Sequence, residues 1–384
     1  MKLLYIIPNH NMSNECDGVT KKIYFQRQAF KNLSITGKVI FWKDDEIIEQ
    51  GIENNNTRLL YSDDMNLKEK IRIKKIFETI MKLNIIKDFD CVYIRYPRSS
   101  KSFVNFLDNI RFNNNNIKIY LEIVTYPYDK EEIDNVFSNS LKLKSKLGYI
   151  LRIVQDRIYR KKLRKYVNRI ITFSEDENIF KVPTIRTSNG ISKEIIGCYK
   201  NKNKDTKILN IIGVGGIAKY HGYDRVIRGI KNYIKGEGDK NIIFHIVGDG
   251  AELKNLKEIV KRQKLNDNVK FYGYLSGDKL ERIYSLADIA IASIGRHRNK
   301  IYQLADLKSR EYCAKGIPFI KTVKDLDFED FRYCLNIRAD ESDVDINEII
   351  KFYEKIEVDE NFKEKMYDYA LNYLTWESKL KCIL

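Results

Sequence analysis

Short apolar runs rich in Ile, Val, Tyr and Phe recur through the first half of the chain, at Leu3 to Ile7, Lys38 to Trp42, Cys91 to Arg95, Ile117 to Val124 and Arg169 to Phe173. Their length and composition predict buried strands. Longer amphipathic segments lie between them, Val19 to Leu33, Lys68 to Leu83, Ser100 to Arg111 and Lys142 to Arg169. Strands alternating with helices predict a parallel sheet with crossover helices, a doubly wound α/β domain. The polar stretch Tyr199 to Thr206 has no apolar periodicity, and beyond it the pattern repeats. Strands are predicted at Ile208 to Val214, Asn241 to Val247, Val269 to Tyr272, Asp288 to Ser293 and Ile317 to Lys321, with helices after Gly222, Gly250, Ser276 and Leu307. The expected division is residues 1–198, 199–365 and a C-terminal helix, 366–384, returning to the first domain. Two such sheets would face each other across a cleft at their strand C-terminal ends, where open α/β sheets bind ligands.

A length of 384 residues suits two or three domains, and 43% apolar with 32% charged residues is a globular balance. No apolar run reaches the ~18 to 20 residues of a spanning helix. The start, Met1 to Ile7, lacks the features of a secretory signal and reads as a strand. The six cysteines lie far apart without a CxxC pair, so reduced thiols in a cytoplasm are expected.

Charge changes the picture. The net charge is +16, of which residues 1–200 carry +12 and the remainder +4. Lys142 to Arg169 holds eleven basic residues against one acid, Asp156. Within it Leu143, Leu147, Ile150, Leu151, Val154, Ile158 and Leu163 recur mainly at three- and four-residue steps, which defines a basic amphipathic helix. Three readings stand: an apolar stripe docked on the core, a face lying on an anionic membrane, or a contact to nucleic-acid phosphates. No nucleic-acid-binding module accompanies it, so nucleic acid is not an expected partner.

Candidate chemistry concentrates in the second half. GVGGIAKYHGYDR, Gly213 to Arg225, follows a strand and precedes a helix, so its backbone N–H groups and the helix N-terminus can hold a phosphate, with Lys219, His221 and Arg225 adding charge. It is neither a Walker A loop nor a strict GxGxxG, and a turn that only needs positive φ would look the same. Gly248-Asp249-Gly250 makes a second glycine turn at the same sheet edge. Leu307 to Pro318 reads as a helix closed by Gly316, in which Glu311 could accept hydrogen bonds from a ribose diol while Lys308 and Arg310 neutralise a diphosphate.

The ordered set G-G-x-x-K-x-H-G-Y-D-R, V-G-D-G, F-Y-G-Y and L-K-S-R-E-Y-C-A-K-G-I-P-F-I resembles bacterial family 4 glycosyltransferases of the GT-B fold. In the first half Asp17-Gly18-Val19, Ile94 to Pro97, Tyr120 to Tyr128 and Ser188 to Ile191 resemble loops of its surface-polysaccharide members. The resemblance implies a nucleotide-diphosphate sugar held by the C-terminal domain, an acceptor approached from the N-terminal domain, and metal-independent transfer with retention at the anomeric carbon. It implies Gly215 and Gly216 by the diphosphate with Lys219 and His221 beside it, Gly248 and Gly250 bordering the nucleotide, and Glu311 on the ribose. Gly18 would face the donor phosphates, and Glu122, Thr125 and Tyr126 would lie near the reacting sugar or acceptor. Glu122, Lys219 and Glu311 are the implied catalytic residues, Lys219 through charge stabilisation of the leaving diphosphate. Two departures bear on these roles: Gly216 and His221 stand where many members carry Arg and Lys, and Gln303 stands where many carry a first Glu, with Asp306 as its possible replacement.

Asp88-Phe89-Asp90, Asp325-Leu326-Asp327 and Asp343-Val344-Asp345 are read as lying away from strand C-terminal ends, so no metal or other cofactor is expected. The expected protein is a cytoplasmic glycosyltransferase at the inner face of the membrane, held by residues 142–169, acting on a lipid-linked glycan of capsule or other surface polysaccharide. A GT-B epimerase or phosphorylase, and a non-enzymatic basic membrane or nucleic-acid binder, are the rivals.

Overall fold

The computed structural model describes residues 1–15, 17–63, 67–124, 126–129, 143–197 and 206–383. The chain divides into two compact units, Met1–Ser188 with Lys379–Leu384, and Asn189–Ser378.

The first unit is built on nine strands: β1 (Lys2–Asn11), β2 (Thr36–Lys43), β3 (Glu46–Gly51), β4 (Thr57–Ser62), β5 (Cys91–Arg95), β6 (Lys118–Ile123), β7 (Arg169–Thr172), β8 (Asn178–Ile179) and β9 (Val182–Arg186). Their order is β4-β3-β2-β1-β5-β6-β7-β9-β8. The central strands are parallel, and β3, β4 and β8 add antiparallel edges that the polar residues of their segments had hidden from the sequence pattern. Period-two alternation explains why both faces are covered. Leu4, Ile6, Val92 and Ile94 join one core with the helices Glu69–Lys82 and Lys101–Asn113, where Phe77 stacks on Phe106 at 4.5 Å. Tyr5 and Tyr93 point the other way and meet Phe30 of the helix Gly18–Asn32 edge-on.

The basic helix is shorter than expected: it spans Leu143–Tyr159 and gives way to a 3-10 turn, Arg160–Lys165, whose Leu163 is buried in the core, while the apolar stripe of the helix itself is not docked there. Leu151 and Ile158 are 60% and 56% exposed, and Leu147, Ile150 and Val154 are exposed too. Its buried side carries Ile153 and the lone acid, Asp156. Asp156 accepts hydrogen bonds from the Tyr96 hydroxyl (2.8 Å), the Tyr128 hydroxyl (2.7 Å) and the Ser99 N–H (2.5 Å). A polar anchor, with Arg152 paired to Glu69 at 3.0 Å, therefore orients the helix and leaves its hydrophobic side free. No helix among the described residues is long and apolar enough to cross a membrane.

The second unit has six parallel strands, β10 (Ile208–Val214), β11 (Asn241–Val247), β12 (Val269–Phe271), β13 (Ile289–Ile291), β14 (Phe319–Lys321) and β15 (Cys334–Asn336), in the order β12-β11-β10-β13-β14-β15. Strand order reverses between β10 and β13, which makes their C-terminal ends the topological switch point where such sheets bind ligands. The helix Tyr223–Lys235 shows why the local sequence folds this way: Val226, Ile227, Ile230 and Tyr233 face the core at three- and four-residue steps.

The division of the chain falls after Ser188, ten residues before the boundary expected from the sequence, which itself lies in a stretch, 198–205, outside the described residues. Backbone pairing is the reason. The Ile191 N–H donates to the Leu374 carbonyl (2.9 Å), and the Trp376 N–H donates to that of Ile191 (3.0 Å). Met366, Ala370 and Leu374 share a core with Tyr312 and Cys313, so residues 366–378 belong to the second unit and only Lys379–Leu384 group with the first.

Under β6, Glu122 is 4% exposed. It accepts from Gln26 Nε2 (2.8 Å) and Arg95 Nη1 (3.1 Å) and pairs with Lys22 Nζ (3.0 Å). Burial alone would push its carboxyl up, but the Lys22 and Arg95 cations overcome that and bring it from 4.5 down to about 2. A depressed folded-state value means stability that is complete above the unfolded value and lost as pH falls through the folded one. The pair is therefore expected to add about 3 kcal/mol near neutrality that disappears between roughly pH 4.5 and pH 2. Urea midpoints measured across that range should fall more steeply for the native chain than for Glu122→Gln, and equal slopes would contradict this.

Candidate active site

Two glycine turns at the switch point are locked backbone to backbone. The Gly215 N–H donates to the Val247 carbonyl (3.0 Å) and the Ile217 N–H to the Asp249 carbonyl (2.7 Å). A Cβ on Gly248 would stand 1.9 Å from the Gly215 oxygen, and one on Gly250 2.3 Å from the Ile217 oxygen. Both have positive φ, +131° and +157°, so glycine is required there by conformation and by approach. Gly248 and Gly250 thus shape the first turn. Gly215 (φ +139°) and the exposed Gly216 form its outer surface, and Gly216 is open, with only the Asp249 oxygen 3.9 Å from a Cβ position.

A third segment closes on this turn. The Ile294 and Gly295 N–H groups donate to the carbonyls of His221 (3.1 Å) and Tyr220 (3.0 Å), fastening the chain after β13 to the 3-10 turn Lys219–His221. Arg298 completes the fastening: it donates to the Lys219 carbonyl (2.7 Å), forks onto Asp224 (2.9 and 2.8 Å) and reaches Glu341 (2.8 and 2.7 Å). Arg225 is buried in the same scaffold, bonded to the carbonyls of Ile294, Arg338 and Ser342. It is a structural residue, not a free cation for ligand.

Around the turn stand three nitrogen side chains. His221 Nδ1 accepts the Ala218 N–H (3.1 Å), which leaves the ring proton on Nε2, and the ring stacks on Tyr223 at 5.4 Å. Burial, then the nearby Lys308 and Arg296 charges, lower His221 to about 3, so it offers a neutral N–H donor. Arg296 lies with its guanidinium 3.9 Å from the Tyr220 ring centroid, and its Nε is buried without a hydrogen-bond partner among the described residues. Lys308 is in the first turn of the helix Leu307–Ala314, which Asp306 caps by accepting the Ser309 N–H (2.9 Å). Its Nζ is buried, has no hydrogen-bond partner among the described residues, and would lie 2.8 Å from a Cβ on Gly215. The basic side chain seated against the glycine turn is therefore Lys308. The side chain of Lys219, assigned that place from sequence, is exposed, and its backbone carbonyl holds Arg298 instead.

The other site expectations divide clearly. Glu311 is half-buried, with Lys315 and Lys308 charges beside it, and burial raises its carboxyl. Arg310 is 0% exposed and all five of its N–H groups are taken. They go to the carbonyls of Asn189 and Asp306, to both oxygens of Asp325 (2.7 and 3.0 Å) and to Asp327. It cannot neutralise a diphosphate. The same contacts correct the reading of Asp325 and Asp327, which do follow the end of β14 but are consumed by Arg310. Gln303 is exposed and makes a backbone bridge to Lys324, while Asp306 spends one oxygen on the helix cap and buries the other without a partner among the described residues. Among the described residues no cluster of His, Cys, Asp or Glu could hold a metal ion.

In the first unit Gly18 opens the helix Gly18–Asn32 under an Asp17 cap, with nothing within 4 Å of a Cβ position. Tyr126 is half-buried against Phe180 (5.7 Å) and Tyr128 (6.3 Å). Thr125 lies outside the described residues. Glu122 is corrected: buried in its ion network, it is not presented to a sugar. Arg296 was missed by sequence reading. The signal that could have found it was its place just after β13, beside the strand where the order reverses.

Residues 181–296, which include both glycine turns and end at Arg296, match the family model described as Glycosyl transferases group 1. An uncharacterized glycosyltransferase of Haemophilus influenzae is 32% identical over 106 residues, covering 27% of this chain and 30% of that protein's length. The structure is similar to a crystal structure of a glycosyltransferase from Rickettsia africae, with TM-score 0.60 and 12% identity over 99% of this chain and 96% of that one. It is also similar to Anabaena HepE in complex with UDP, with TM-score 0.57 and 10% identity over 100% and 98%. Two parallel-sheet α/β units matching these structures give the chain the GT-B fold of glycosyltransferases.

Proposed function

We propose that the chain is a retaining glycosyltransferase that takes a sugar from a nucleotide-diphosphate donor and passes it to a lipid-linked glycan or other surface-polysaccharide acceptor. The observation that carries the reading is the Lys308 Nζ, buried against Gly215 at the switch point of the second unit with no hydrogen-bond partner among the described residues. Such a group lacks an acceptor until an anion arrives, and the Arg296 guanidinium and the His221 N–H stand ready to share the same anion. A leaving diphosphate develops negative charge as the glycosidic bond breaks, and fixed cations at that point stabilise it. These groups supply the positive charge that a metal supplies elsewhere, so the reaction is proposed to need none. Glu311 is proposed to hold the ribose, and Tyr126 with Thr125 to serve the acceptor. The match to the Haemophilus protein spans less than a third of its length, and supports the reaction class without naming a substrate.

The exposed apolar side of Leu143–Tyr159, flanked by Lys161, Lys162 and Lys165, supports attachment to an anionic membrane, where a lipid-linked acceptor would be met. The inner face of the cell membrane is accordingly the proposed site of action.

Incubation with a panel of nucleotide sugars and membrane extract should yield free nucleoside diphosphate and a lengthened glycan whose new linkage keeps the donor's anomeric configuration by NMR. Donor consumption without an acceptor product would sink the reading. Excess chelator should leave the rate unchanged. Glu311→Ala should lower kcat/KM about 10- to 100-fold through loss of a charged hydrogen bond to the donor. Vesicles containing anionic lipid should sediment with the protein at low salt and release it at high salt, and joint replacement of Leu147, Leu151 and Ile158 by Ser should abolish sedimentation without lowering the melting temperature. Undiminished sedimentation of that variant would remove the helix from membrane attachment.

A further inference from the structure

The nitrogen side chains at the Gly215 turn differ in how they can carry charge. Arg296 remains a guanidinium in any protein environment. His221 is neutral through the physiological range, since burial and its cationic neighbours hold it at about 3. Lys308 lies between these limits. Its Nζ is buried and no acceptor among the described residues reaches it, and a buried ammonium without an acceptor is disfavoured against the neutral amine. From its own helix Asp306 and Glu311 favour its charge, but the Asp306 oxygen that is not spent on the Ser309 cap makes no hydrogen bond to Lys308 or to any other described residue. From the turn after β13 Arg296 repels it; from the turn after β10 neutral His221 adds no charge, and the Tyr223 ring stands 5.9 Å away.

We propose that Lys308 is a proton-loaded clamp for the donor's diphosphate: a phosphate oxygen seated on Gly215 gives Nζ the acceptor it lacks, and the amine takes up a proton as the ligand binds. This rests on the donor reading of the same turn. The neutral ε-amine accepts one proton from the buffer acid and becomes an ammonium paired to the phosphate, and when the diphosphate leaves the proton returns to solvent. Burial first, then Arg296, brings the free side chain from 10.5 down to about 7, against the pull of Asp306 and Glu311. At pH 8 roughly nine-tenths of it is unprotonated, and at pH 6 roughly one-tenth. Affinity for a diphosphate therefore falls toward about tenfold per pH unit above neutrality.

Isothermal titration of the full chain with UDP, GDP, ADP and TDP at pH 8, in buffers of different ionisation enthalpy, measures the coupled protons directly. The terminal phosphates are already deprotonated there, their second ionisation lying near ~6. The expected result is uptake of about 0.9 proton per diphosphate at pH 8, set by the unprotonated fraction. Lys308→Arg should bind with no uptake, and Lys308→Met should lose at least about tenfold in affinity. Binding heat without uptake in the native chain overturns this inference and leaves the donor reading standing. Uptake that persists in Lys308→Arg assigns the proton to another group and overturns it as well. Absence of heat with all four diphosphates overturns the donor reading, and this inference with it.

Discussion

Close approach of backbone to backbone at the end of β10 and β11 governs the second unit. The Gly215 oxygen occupies space where any side chain on Gly248 would begin, and the Ile217 oxygen does the same at Gly250. This contact turns two flexible loops into one surface. Because the turn is fixed by its own hydrogen bonds to Val247 and Asp249, the side chains around it arrive at a preformed place. His221 is held by a backbone bond, Arg296 by the Tyr220 ring, and Lys308 by a capped helix. Preorganisation of this kind is what an anion site needs, since donors aimed in advance do not reorganise when charge develops.

Charge in this protein has two fates, and burial with pairing distinguishes them. Arg310 and Glu122 are as deeply buried as Lys308 Nζ, yet every donor of Arg310 meets an acceptor and both oxygens of Glu122 meet donors or cations. Such groups hold the fold together, because removing one partner strands the other in a medium that penalises isolated charge. The Nζ of Lys308 and the Nε of Arg296 are buried without that satisfaction among the described residues. A folded chain tolerates an unsatisfied donor of this sort at a cost, and the cost is recovered when a ligand supplies the acceptor.

The first unit shows the same principle at its surface. Asp156, the lone acid in the basic stretch, is the group that anchors the helix, through Tyr96, Tyr128 and Ser99. Hydrophobic residues that elsewhere fasten a helix to its core are left facing outward beside lysines. An amphipathic pattern in sequence tells which residues share a face. It does not tell which face the core receives, and here a buried carboxylate made that choice.

The sequence by itself determined the alternation of strands and helices, because burial on both faces of a parallel sheet writes continuous apolar runs: Ile208–Val214 and Asn241–Val247 coincide with the strands observed. It also determined the two glycine turns, since a positive φ and a missing Cβ are demands on single residues. The edge strands β4 and β15, and β3 beside β4, are not legible in the sequence because they are short or half exposed and carry no such run. Tertiary structure alone decided the roles of the charged residues. Lys308 and Arg310 are two positions apart on one helix, chemically alike in sequence, and point in different directions: one toward the glycine turn without a partner, the other into Asp325 and Asp327. Whether a charge is free or paired depends on groups distant in the chain, and local pattern holds no record of them.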